Sequence, residues 1–398
     1  MIHPSELRAF SHQLRHRVAP TMPLTATFFL FNFGMAFLAP IFSIYVNKIT
    51  GSFFLTGVFF ALWGVIGAVL SLPSGAAADK WGPGRLLRWT LYAQIFVLVG
   101  YAFSDQIGAL FVTRTAEILS GVVLWAACWT YLRVAPLKRY EEENVRFFYT
   151  IQDTAGLAAP IAGGVFFTLY SWDAGFIVAA AMLTAAYLVA FRLNQTEPKR
   201  VNLRAVMRRD LRDVRKLGRL SWMLIGLMVL TFTITSGWSS LLTVHLNTNL
   251  GIPLEVIGVL LAAGLVPGII LQLPLGAYAD RRGAWKLLAV GYGCMVVGMA
   301  GMFLARDAVT AGAGMVAAGL GFALAVPTIT MALSLHTPKS EAGGALGVAQ
   351  TAKNIGYIAG PLTAGIAFTL SEFGFFAILV VMAAAALAIV AALPRDRH

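Results

Sequence analysis

Apolar runs of bilayer-spanning length, about 20 residues each, follow one another along almost the whole chain, divided by short polar and charged turns. They predict spans at 22–46, 53–77, 86–103, 107–132, about 147–169, 174–193, 220–246, 254–278, 287–304, 308–335, 342–370 and 374–393. One stretch breaks the rhythm. Residues 194–219 hold nine Lys and Arg and three acids, with Leu203, Val206, Met207, Leu211 and Val214 at roughly helical spacing. That pattern predicts an amphipathic helix lying on the membrane surface. The expected architecture is all-α: an N-terminal segment (1–21), a six-helix bundle (22–193), the basic linker (194–219), a second six-helix bundle (220–393) and a short tail (394–398).

The polar turns repeat. GAAADKWGPGRLL at 75–87 returns as GAYADRRGAWKLL at 276–288, a shift of 201 residues, as from Asp79 to Asp280. The preceding apolar segments match as well: Gly57, Val58, Gly67, Leu70 and Pro73 meet identical residues at Gly258, Val259, Gly268, Leu271 and Pro274. At the same shift Thr150, Pro160, Gly164, Phe167 and Thr168 map onto Thr351, Pro361, Gly365, Phe368 and Thr369. Hydrophobicity alone does not dictate loop residues, so the chain consists of two related halves.

Composition sharpens this picture. With 58% hydrophobic and 12% charged residues the chain is too apolar for an ordinary soluble domain. The net charge of +12 raises the question of nucleic acid, and its distribution answers it. If the Gly/Asp loops face the cytoplasm, Lys48 and Arg306 are the only basic residues on the other side, and Arg114 and Lys353 the only ones deep inside spans, Arg88 and Arg192 lying at span ends beside the loops. This is the positive-inside asymmetry, which sets orientation and meets anionic headgroups; it predicts a lipid bilayer, no nucleic acid and both termini in the cytoplasm. Cys128 and Cys294 both fall in apolar spans without CxxC spacing, so neither a disulfide nor a metal site is expected. There is no HExxH, GxSxG, P-loop or cluster of His and Asp ligands, which argues against an enzyme or a nucleotide-driven pump.

An ionisable group within a span costs about 2.5–3.5 kcal/mol on insertion scales, so each is a functional candidate. Arg114 and Glu117 lie three apart, on one face of a helix. Asp153 and Lys353 lie at nearly the same height in the fifth and eleventh spans and could pair across the halves; by the 201-residue shift Lys353 matches Gln152 and Asp153 matches Asn354. His245 ends the seventh span. For each, a structural role stands beside the functional one. A carboxylate moved between water and a desolvated site can load a proton on one side and release it on the other. Glu117 is the first candidate for that task, then Asp153.

Six spans, a basic linker and six more, with a Gly-x-x-x-Asp-(Arg/Lys)-x-Gly loop after spans two and eight, resembles the major facilitator superfamily. Gly75, Asp79, Lys80, Gly82 and Arg85 carry the first loop, and Gly276, Asp280, Arg281, Gly283 and Lys286 the second. The resemblance implies a gate that locks the cytoplasmic side while the cavity faces outward, each aspartate facing the positive end of a helix of the other half. Two stretches are similar to the proton-coupled drug antiporters: 34–45 in the first span, and GLAAPIAGG at 156–164 in the fifth. The latter has Ala159 where the family pattern has glycine, whereas its twin keeps Gly360-Pro361. Gly156, Pro160, Gly164, Gly360, Pro361 and Gly365 would then be helix-bending or helix-packing positions.

The resemblance also implies a substrate site near mid-membrane, lined by spans one, four, seven and ten. Phe31, Asn32, Phe37, Trp125, Trp129, Tyr131, Trp238 and Asn247 are the candidates there. The expected function is alternating-access secondary transport, with proton-coupled export of lipophilic or amphipathic small molecules foremost. A sugar exporter, a lipid or glycolipid flippase and an uncoupled uniporter are the alternatives. The expected setting is a bacterial-type inner membrane, with a monomer driven by the proton gradient and no bound cofactor.

Overall fold

A computed structural model of the chain describes residues 21–135, 141–194, 218–282, 284–335 and 342–392. The surface helix expected at 194–219 therefore lies almost wholly outside the described residues, as do the N-terminal segment and the tail.

Proline decides how the first span is built. It begins as α1 (Met22–Phe37) and continues as α2 (Ala39–Thr50), the two bent by 49° about Leu38. Pro40 lacks the N–H that would extend the α1 ladder, and its ring clashes with the preceding turn. The apolar pattern predicts one continuous span, 22–46.

Each later pass is one helix: α3 (Phe53–Trp81), α4 (Pro83–Ala102), α5 (Ile107–Val134), α6 (Glu141–Leu169) and α7 (Trp172–Val189) in the first half. The second half holds α8 (Arg219–Val244), α9 (Leu254–Arg282), α10 (Ala284–Leu304), α11 (Ala308–Leu335), α12 (Ala342–Leu370) and α13 (Glu372–Ala392). A π-helical turn, His245–Asn249, prolongs α8. Counting α1 with α2 as one, these make twelve passes. By length and composition eight single helices and the bent pair are apolar enough to cross a membrane. The remaining three are α4, which opens on Arg85 and Arg88, and the Gly- and Thr-containing α6 and α12. Helices packed on protein rather than lipid need less hydrophobicity.

Each half has its own buried core. Leu24, Phe28, Leu91, Tyr101, Phe176 and Leu183 centre the first; Leu224, Met228, Leu241, Tyr292, Met299 and Phe375 centre the second. Between the halves, α3 lies along α12 and α6 along α9, forming two seams. Trp81, Trp89 and Trp222, near the end of the bundle that bears the Gly/Asp loop, are exposed, as aromatic rings at a membrane interface are. We call that the loop end and its opposite the far end.

Candidate functional site

The duplicated glycines and prolines build both seams with the same contacts. A Cβ at Gly57 of α3 would lie 2.4 Å from the Pro361 carbonyl oxygen, and one at Gly258 of α9 2.2 Å from that of Pro160. Gly365 stands in the same relation to the Phe53 oxygen (2.7 Å) and Gly164 to that of Leu254 (2.4 Å). Only the absence of a side chain permits such approach. Pro160 and Pro361 do not interrupt α6 or α12, which run on through them. Gly156 touches Leu265 of the other half, and Gly360 packs against Thr233 and Gly237 of α8.

These contacts lie toward the far end. There Thr168 Oγ1 donates to Glu255 Oε2 across the α6–α9 seam (2.6 Å), and the rings of Phe53 and Phe368 meet across the α3–α12 seam at 4.4 Å. Glu255 went unnoticed in the sequence because it opens a helix, where an acid has an ordinary reason to be. Along α3 the close approaches continue through Gly64 and Gly67, both against Asn354. At the loop end Gly75 has nothing within 4 Å of its Cβ position among the described residues. Asp79 makes no hydrogen bond or ion pair among the described residues. Lys80 and Arg85 are exposed, and Gly82, at φ 82°, makes the left-handed turn into α4. In the second copy Lys286 is exposed; the surroundings of Gly276, the side chains of Asp280 and Arg281, and Gly283 altogether lie outside the described residues.

Of the charged candidates, Arg114 and Glu117 do pair. Arg114 Nη1 donates to Glu117 Oε2 at 2.8 Å, with 7% and 6% of the side chains exposed. Tyr101 Oη of α4 donates to the same oxygen at 2.5 Å, and Gln94 Nε2 to the Glu117 carbonyl at 2.9 Å. The guanidinium lies over Phe59 (4.8 Å), Phe60 (5.6 Å) and Trp63 (5.9 Å) of α3, while its Nε has no partner. The sequence showed the i,i+3 pair but not Tyr101, which enters from a neighbouring helix. This cluster lies inside the first half rather than on a seam.

Asp153 and Lys353 do not form the pair expected across the halves. Lys353 Nζ sits 5.3 Å above the ring of Phe232 on its own side of the molecule, and no ion pair joins it to Asp153. Asp153 is half-buried on α6 beside Gln152. His245 is buried at the far end against Phe376 (4.7 Å) and Phe368 (6.3 Å), and neither ring nitrogen has a hydrogen-bond partner.

The residues expected to line a cavity take differing places in the bundle. Asn32 is half-buried on α1, its Nδ2 donating to Gln152 Oε1 (2.7 Å), and Trp129 is exposed beside Tyr149. Trp125 stacks obliquely on Phe28, and Phe31 packs edge-on against the same ring. The other four serve packing. Phe37 is buried against Phe166 and Phe167, with Gly163 closing on its carbonyl at the α1–α2 break. Tyr131 is wholly buried and its hydroxyl accepts from the Asn194 N–H. Trp238 is buried between Phe322 and Phe376. Asn247 braces the π turn, donating to the Ile252 carbonyl at 3.2 Å. A surface groove of about 410 Å³ on α5, lined by Phe111, Val112, Thr115, Ala116 and Leu119, contains none of the candidates.

Comparison with known proteins agrees with this geometry. The family model described as "Major Facilitator Superfamily" matches residues 3–156 and 145–361. A "Multidrug resistance protein MdtG" of Yersinia enterocolitica is 22% identical over 48% of this chain and 47% of its own length. An "MFS-type transporter ppzB" of Metarhizium rileyi is 27% identical over 32% of this chain and 26% of its own. The matches thus span about half or less of these relatives. The solved nucleoside transporter NupG superposes with a TM-score of 0.77 at 13% identity, covering 94% of this chain and 98% of its own; at that identity the likeness concerns the fold. The matched family and the twice-built seam together make this multi-pass membrane protein a member of the Major Facilitator Superfamily, a family of transporters and not of enzymes.

Proposed function

We propose that the chain is a secondary active transporter that works by alternating access and exports lipophilic or amphipathic small molecules in exchange for protons. One observation carries the alternating-access reading: the same duplicated residues close both seams toward one end, while at the other a Cβ on Gly75 would meet nothing within 4 Å among the described residues. A seam built twice from backbone contacts is a two-state element, able to close at one end as it opens at the other. The relative named for multidrug resistance supports the substrate class.

For coupling, Glu117 is the carboxylate of choice. It is buried, held by one cation and one phenol, and a proton on it would release Arg114 from its only ion pair among the described residues. Asp153, half-buried near the seam, comes second. The basic excess at the Gly/Asp loops supports a bacterial-type inner membrane with both termini in the cytoplasm. We take the working unit to be a monomer.

The test is uptake of lipophilic probes of positive, zero and negative charge into proteoliposomes with an acidic lumen. Wild type is compared with Glu117→Gln and Asp153→Asn. Gradient-driven uptake that disappears in one variant is expected. Movement of probes that ignores the gradient in all three proteins would sink proton exchange.

A further inference from the structure

The duplication pairs each residue of one half with a counterpart 201 positions later, and at one such pair the halves differ in chemistry. In the first half Gln152 of α6 is fully engaged: its Oε1 accepts from Asn32 Nδ2 at 2.7 Å and its Nε2 donates to the Thr25 carbonyl at 3.3 Å. Its counterpart on α12 is Lys353, and the counterpart of Asn32 is Thr233. Thr233 gives its hydroxyl proton to its own helix, at the Val229 carbonyl (2.8 Å). Lys353 makes no hydrogen bond and no ion pair among the described residues; its ammonium rests 5.3 Å from the centroid of Phe232.

Nothing on the helices around it can neutralise this charge. In sequence α8 and α12 contain no acid, the only acid of α3 is Asp79 at its loop end, and that of α13 is Glu372 at its first position. Asp153, at the matching height in the other half, does not pair with it. A cation over an aromatic ring gains less than removing an unpaired ammonium from water costs. The arrangement is therefore incomplete as it stands.

The surroundings fit an occupant. Lys353 adjoins Asn354, the residue against which Gly64 and Gly67 make the last close approaches of the α3–α12 seam before the loop end. It is half-buried, one turn from exposed Gln350 and one turn from Tyr357, whose ring meets Phe232 edge-on at 5.5 Å. Gln350, Lys353 and Tyr357 form a polar and aromatic line on α12, separate from the exposed Thr351, Ile355 and Ile366 line that suits lipid.

We propose that Lys353 is the anion-recognition residue of the transport site, and that the substrates are amphipathic organic acids: an apolar or aromatic body against Phe232 and Tyr357, with a carboxylate or sulfonate at the ammonium. This rests on the export reading for transport, but its core is a binding claim that can be tested alone. The probes are 1-naphthylacetate, the neutral 1-naphthylacetamide and the cationic 1-naphthylmethylamine, three ligands of like shape. Equilibrium binding to the purified full chain in detergent is measured for wild type, Lys353→Gln and Lys353→Arg, then flux in proteoliposomes.

The expected result is that wild type binds the carboxylate at least tenfold more tightly than the amide or the amine. Lys353→Gln, which installs the residue the first half carries, loses that preference and keeps its affinity for the amide; Lys353→Arg retains the preference. A wild type that binds the amine as well as the carboxylate, or binds none of the three, overturns the proposal. So does a Lys353→Gln protein that keeps the preference. Binding that depends on Lys353 without gradient-driven flux would leave the anion site standing and overturn the export reading instead.

Discussion

Gly258 of α9 and Pro160 of α6 meet backbone to backbone across the seam, so closely that a Cβ on the glycine would lie 2.2 Å from the proline carbonyl. Gly57 and Pro361 repeat the contact in the other seam at 2.4 Å. Backbone cannot yield as a flexible side chain can. A methyl group at either glycine must push the halves apart at the far end, at an overpacking cost of about 1–3 kcal/mol.

Gly258→Ala and Gly57→Ala are therefore expected to shift the population toward the state closed at the loop end, by roughly 5- to 150-fold. A reporter is available in Gly75, whose Cβ position has nothing within 4 Å among the described residues. In a background with Cys128 and Cys294 replaced by serine, Gly75→Cys should react quickly with a polar thiol reagent. Adding either alanine should slow that reaction at least fivefold. An unchanged rate would mean that the seams do not govern access at the loop end.

The Arg114–Glu117 pair predicts a different signature. Breaking a buried pair from one side leaves a charge without its partner and costs about 3–5 kcal/mol. Arg114→Met alone should depress the melting temperature of the detergent-solubilised protein strongly, and Tyr101→Phe less, by a hydrogen bond of about 1 kcal/mol. The double variant Arg114→Met/Glu117→Gln should recover much of the loss. If the two single effects simply add, the pair contributes no coupling.

Much of this molecule was legible in its sequence, and the reasons are physical. Span length is set by the bilayer, and the 201-residue repeat survives in loops where hydrophobicity imposes nothing. The interior was harder to read. A span is apolar toward lipid as well as toward protein, so Tyr131, Phe37 and Trp238 gave no sign that they face packed neighbours rather than a cavity. Tyr101 shares a carboxylate oxygen with Arg114 because two helices cross, which no spacing within one helix announces. The glycines were visible as a repeated pattern, but that Gly57 touches Pro361 and Gly258 touches Pro160 follows only from how the halves face each other.

His245 offers a test in which removing a polar group should stabilise. Both ring nitrogens are buried without partners, against Phe368 and Phe376. An unsatisfied buried polar group costs about 1–3 kcal/mol. His245→Leu removes that cost at the price of some ring contact, so the melting temperature should rise. A rise accompanied by slower transport would place the imidazole in the working cycle at the far end; a fall would mean that the ring is held by contacts worth more than its desolvation.

The asymmetry between Gln152 and Lys353 yields a constructive prediction. If the lysine occupies a place where the fold itself is satisfied by an amide pair, the second half should accept the bond made by the first. Lys353→Gln removes the charge but finds Thr233 turned to its own helix at the Val229 carbonyl. Adding Thr233→Asn supplies the counterpart of Asn32, whose amide meets Gln152 at 2.7 Å. The double variant should be more stable than Lys353→Gln alone by about 0.5–1.5 kcal/mol, the net contribution of one hydrogen bond. It should also be more stable than wild type, since it removes an unpaired cation from a half-buried site. Melting curves of the four proteins of this cycle, with each single change measured alone, separate the new bond from the lost charge. A double variant no more stable than Lys353→Gln would show that the two halves differ here in backbone position as well as in side chain, so that the first half's contact has no room in the second.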